Sequence, residues 1–106
     1  MEVFKNIEEV DIQGHKLEVH LGTFIESEKL FTESVKCFKE GKEGVDVLTS
    51  DAIKEALLPL LKKCFFDKQP IKDWSFFEDI KMRGFYVPIC LKVLDLNTTP
   101  FMTSPL

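Results

Sequence analysis

Between Thr49 and Phe66 the chain reads TSDAIKEALLPLLKKCFF, and its apolar positions recur at spacings of three and four. Ile53, Ala56, Leu57, Leu60, Leu61, Cys64 and Phe65 fall on one side of a helical wheel, with Lys54, Glu55, Lys62 and Lys63 on the other. The pattern predicts one amphipathic helix over the whole stretch, on which the other apolar segments pack. Ser50 suits its N-cap and Asp51 the positive end of its dipole, while Lys62 and Lys63 suit the negative end. Pro59 removes the amide that would bond to Glu55. Because it lies near the polar side, a bend is expected rather than two separate helices.

Upstream the period changes to two. Val10 and Ile12 precede Gln13-Gly14, and Leu17, Val19 and Leu21 follow it, which is the pattern of a β-hairpin with one buried face. Val3-Phe4 either extends the first strand or forms a separate short piece. A lone hairpin is marginal in water, so this one is expected to lie against helices. Thr23-Phe-Ile-Glu26 has capping-box spacing, with Ser27 as an alternative N-cap. The helix that follows should reach about Glu40 and stop at Gly41. Among Phe24, Leu30, Phe31, Val35 and Phe38, the stripe Phe31, Val35 and Phe38 is its expected core face, with Cys37 alongside. Gly41 to Leu48 reads as a connector.

Asp67 to Pro70 ends the long helix. Ser75-Phe-Phe-Glu78 is a second capping-box spacing, with Asp73 competing as N-cap, for a short helix to Arg83 stopped by Gly84. Tyr86-Val-Pro88 opens a last helix with proline in its first turn, and Ile89, Leu91, Val93, Leu94 and Leu96 make it mostly buried. Asn97-Thr-Thr-Pro100 is its expected stop. The expected fold is therefore α+β: a single domain over 1–106, with an N-terminal β-hairpin region (3–25) packed on a bundle of about four helices (24–97) and a tail (98–106) docked by Phe101 and Met102.

Composition narrows the function classes. A chain of 106 residues, 44% hydrophobic and 30% charged, supports one modest core. Ten Phe against one Trp and one Tyr is a heavy load of apolar rings, so either the core is unusually aromatic or some rings lie on a surface that a partner covers. The net charge of −4, with no basic run, argues against nucleic acid as a partner. Cys37, Cys64 and Cys90 are an odd number, far apart, with no CxxC, and read as reduced core thiols in a reducing compartment. MEVFKNIEEV lacks the regions of a signal peptide, and no apolar run approaches a membrane span. The expectation is an intracellular protein without a membrane partner.

No catalytic pattern emerges. His15 and His20 are five apart on a strand, so they point to opposite faces and cannot share a metal. The thiols have no local base. Glu8-Glu9, Glu26 with Glu28, and Glu78-Asp79 read as solvated or dipole-satisfying carboxylates. Gly41 and Gly44 lack the rest of a phosphate loop. The chain is thus expected to be no enzyme, with no catalytic residue, cofactor or metal. The sharper candidate is an aromatic band in the C-terminal half: Phe65, Phe66, Trp74, Phe76, Phe85 and Tyr86 as partner-binding residues. On a helix Phe65 and Phe66 would point apart, which keeps one of them at or near the surface.

The order of pieces carries a resemblance. A short hairpin with a Gly turn (VDIQGHKLEVHLGTF), a helix, a glycine-bearing connector, an amphipathic helix with ALLPLLKKC and then WSFFEDIKMRGFYVPICLKVLDLN resembles the small tail assembly chaperones of long-tailed bacteriophages. The resemblance covers most of the chain and lies in layout and phrasing, with no invariant motif to transfer residue by residue. It implies an α+β protein that binds the tape measure protein, recruits tail tube subunits, self-associates and works in the cytoplasm of a bacterial host. It also implies that a longer, frameshifted form accompanies this one. An alternative function is a small phage or bacterial regulator that inhibits a host protein by covering its surface.

Overall fold

The computed structural model describes residues 6–102. Two strands, β1 (Ile7–Ile12) and β2 (His15–His20), lead into α1 (Phe24–Lys39). A 3-10 helix (Gly44–Thr49) precedes α2 (Asp51–Leu61), β3 (Cys64–Phe66) and β4 (Gln69–Pro70). A second 3-10 helix (Trp74–Phe77), α3 (Ile80–Arg83) and α4 (Tyr86–Met102) complete the fold. The class is α+β, as the patterning predicts.

The hairpin forms as read, with Ile12 opposite His15 and Val10 opposite Leu17. Its turn uses two successive left-handed residues, Gln13 (φ 52°) and Gly14 (φ 89°), whose twist matches that of the strands. It is not alone: β1-β2-β3-β4 make one antiparallel sheet. This corrects the long helix, which stops at Leu61 rather than Phe66. Cys64 and Phe66 pair with Val19 and Leu17 on β2, and the two-residue alternation sends both inward while Phe65 faces the other side. Over three residues the two periods cannot be told apart, and pairing with β2 decides.

The caps predicted for α1 and α2 both close. Thr23 and Glu26 form a reciprocal capping box on α1, and the Ser50 hydroxyl accepts the Ile53 amide on α2. Ile53, Ala56, Leu57, Leu60 and Leu61 of α2 are buried and sit at the centre of the core, with α1 and α4 packed against them. From the sheet come Ile12, Leu17, Val19, Cys64 and Phe66, and from α4 Ile89, Cys90 and Val93.

Four local expectations need correcting. The connector is partly a 3-10 helix that buries Leu48. The helix expected over 75–83 is two short pieces, one capped by Asp73 and one by Asp79, because each aspartate captures an amide two residues on. The core face of α1 is Ser27, Leu30 and Cys37 rather than the Phe31, Val35 and Phe38 stripe, a rotation of roughly a quarter turn. Finally, α4 runs through Asn97 and Pro100 to Met102, so residues 98–102 are helix, while 103–106 lie outside the described residues. Asn97 and Thr98 do not stop it because their side chains turn back onto the carbonyls of Val93 and Leu94, one turn earlier. Phe101 is held by stacking on Phe31 at 5.1 Å and by contact with Phe24 at 5.6 Å.

Candidate protein-docking surface

The aromatic band is a packed cluster. Phe66 is only 2% exposed and belongs to the core, so it is unavailable to a partner. Its ring lies 5.0 Å from Phe85, 5.4 Å from His15 and 6.2 Å from Phe76. Phe76 continues to Phe77 at 5.3 Å, Phe77 to Tyr86 at 5.2 Å and Tyr86 to Trp74 at 6.1 Å. Trp74, Phe76, Phe85 and Tyr86 are half-buried and spend their ring edges and faces on one another. Phe65 stands apart on the opposite face of the sheet, 5.5 Å from His20. The structure therefore brings together five of the six residues, as a half-buried chain of rings anchored on Phe66.

The polar side chains are also tied locally. His15 Nδ1 lies 2.6 Å from the Asp67 carboxylate, and His20 Nε2 lies 2.5 Å from Glu18, on opposite faces of β2. The contact with His15 and the Lys16 amide hold the Asp67 carboxyl below its usual range. Cys37, Cys64 and Cys90 are free and buried, and burial pushes the thiols of Cys64 and Cys90 up to about 12. Among the described residues no group of three His, Cys, Asp or Glu side chains is placed to hold a metal ion. None of the described helices is long and apolar enough to cross a membrane.

Ile7, Ile25 and Ile80 are exposed singly, whereas the exposed apolar side chains that line a groove lie on the side of α1 that its rotation turns outward. Phe38 is 73% exposed and Met102 63%. Between α1, the first 3-10 helix and the C-terminal end of α4 runs an open groove of about 510 Å3. Phe31, Val35, Phe38, Val47, Leu94 and Met102 make its apolar wall, and Lys42, Glu43 and Asp95 its charged rim. Phe24 and Val45, also exposed, extend the apolar area beyond it. An apolar strip of this kind beside a polar rim is the anatomy of a protein interface.

Sequence reasoning passed over these residues because Phe31, Val35 and Phe38 have faultless core spacing. The available signal is the second stripe on the same helix, Ser27, Leu30, Ser34 and Cys37, whose small members let neighbouring helices approach. Comparison of the chain with protein-family models, with curated proteins and with solved structures finds no match for it.

Proposed function

We propose that this chain is a non-catalytic protein-binding module that receives an apolar helix of another protein in the groove between α1 and α4. The observation that carries this reading is the exposure of Phe38 and Met102 on the wall of an apolar groove formed by three helical pieces. Two large apolar side chains left in water favour occupation, because covering them releases hydration at about 25 cal/mol per Å2. A groove between helices matches the mode in which an amphipathic helix inserts anchors at alternating spacings of three and four.

The phage resemblance names the partner. In that reading the occupant is a helical segment of a tape measure protein, kept from aggregating until tail tube subunits are recruited, in the cytoplasm of a bacterial host. Self-association of the chaperone belongs to the same reading. A regulator that inhibits a host protein by occlusion is the alternative. Titration of the purified protein with a tape measure fragment, followed by amide chemical shifts, separates the two. Saturable shifts confined to α1, the first 3-10 helix and the end of α4 support the chaperone. No shifts with that fragment, together with stoichiometric capture of one host protein, support the regulator.

A further inference from the structure

The sheet has two edges, and they are unequal. β4 is two residues long and ends in Pro70, which cannot donate to a further strand. β1 is six residues, IEEVDI, with no proline and unbroken register against β2. It occupies the end of the sheet order, with β2 as its one strand partner among the described residues. The two-residue turn makes Ile12 and His15 a hydrogen-bonded pair, so Ile12, Val10 and Glu8 direct their backbone groups toward β2. The amide of Leu21 bonding to the Asn6 carbonyl at 2.8 Å continues that phase. Ile7, Glu9 and Asp11 therefore direct their N–H and C=O groups away from the sheet, as an open template for one more strand.

Charge says which strand. Glu9 and Asp11 stand on one face of β1 and Glu8 on the other, and Lys16 lies 3.7 Å from Glu9. A second copy of β1 paired antiparallel about Glu9 would set the two Glu9 carboxylates directly against each other, with Glu8 and Asp11 close by, which is unfavourable. We infer that the β1 edge accepts an extended segment of a partner protein by strand addition, and that the segment carries Lys or Arg at positions flanking Glu8, Glu9 and Asp11. Main-chain bonds from Ile7, Glu9 and Asp11 supply the pairing, and the carboxylates select a basic sequence. Ile7, 46% exposed, offers an apolar contact at the start of the strand. This edge is separate from the α1–α4 groove, so the inference stands independently of the proposed function.

The test uses a labelled decapeptide of alternating Lys and Val, its Glu–Val counterpart, and amide hydrogen exchange on the full chain. Without peptide, the amides of Ile7, Glu9 and Asp11 should exchange fast while those of Glu8, Val10 and Ile12 are protected. The Lys–Val peptide should protect the first set, and the Glu–Val peptide should not. Changing Glu8→Gln, Glu9→Gln and Asp11→Asn together should weaken binding about tenfold and flatten its salt dependence. Glu9→Pro removes an outward N–H without touching the bonds to β2, and should abolish binding. Equal binding of both peptides, unchanged exchange at Ile7, Glu9 and Asp11, or protection of those amides by self-association alone would overturn the inference.

Discussion

The backbone N–H of Gly22 donates to the side-chain Oδ1 of Asn97 at 2.9 Å, tying the hairpin's exit to the last helix across 75 positions of sequence. The same oxygen accepts the Ser27 hydroxyl at 3.1 Å, and the Asn97 amide donates to the Val93 carbonyl at 2.9 Å. Asn97 is 3% exposed, and the Gly22 amide and the buried Ser27 hydroxyl both depend on its side-chain oxygen. Replacement by leucine keeps the volume and orphans Gly22 and Ser27, and should cost about 1–3 kcal/mol in urea unfolding. Gly22→Ala should also destabilise, since an added Cβ would sit 2.1 Å from Leu60 Cδ2. A loss below about 0.5 kcal/mol for Asn97→Leu would mean that Asn97 is peripheral.

Leu57 is fully buried in α2, whereas Pro59 two residues on is exposed. Leu57→Ala should therefore cost about 2–5 kcal/mol, the range for cavities in close-packed cores. Leu58→Ala, at a half-buried position, should cost less. Equal losses at the two sites would contradict the assigned face of α2.

The α1 cap links stability to acid. Thr23→Ala removes the hydroxyl that accepts the Glu26 amide and should cost about 1 kcal/mol. Hydrogen bonding from the Thr23 backbone, helped by Lys63, holds the Glu26 carboxyl below its ordinary 4.5. A carboxyl depressed in the folded state contributes stability that is present above its unfolded pKa and disappears as pH falls through the folded one. Glu26→Gln should accordingly reduce the loss of melting temperature between pH 5 and pH 3, a pH window set by that ordinary value of about 4.5. An unchanged acid limb would remove Glu26 from the account.

The thiols predict the alkaline side. Cys64 and Cys90 remain neutral in the fold to about 12, against 9.0 when exposed. Their contribution is intact below the unfolded value and is lost as pH rises between the two. At neutral pH, thiol labelling should be slow for Cys37, Cys64 and Cys90 in the native protein and should become complete in denaturant. Fast labelling of Cys64 or Cys90 under native conditions would contradict their burial.

Local signals carried much of the architecture. The turn at Gln13-Gly14, the capping box at Thr23 and the stripe from Ile53 to Leu61 act through neighbours a few residues away, and each formed as read. What the pattern missed was decided by distant partners. Cys64 to Phe66 continues a helical stripe until Leu17 and Val19 claim it as a strand. Asn97 and Pro100 look like a stop until Gly22 and the ring of Phe31 hold the chain helical beyond them. The docking surface was lost for a related reason. Two apolar stripes share α1, and only the approach of α2 and α4 determines which is buried.

Phe38→Asp isolates the groove from the fold, because at 73% exposure the change should move stability by no more than about 0.5 kcal/mol. The decisive measurement is the amount of a tape measure fragment that stays soluble when co-expressed with the natural chain, with Phe38→Asp, and with Lys29→Asp as a surface control away from the groove. A soluble complex is expected with the natural chain and with Lys29→Asp, and an insoluble fragment with Phe38→Asp at unchanged melting temperature. A fragment that is equally soluble with the Phe38→Asp protein, or insoluble with all three, would contradict the claim that this groove is where the chain meets its partner.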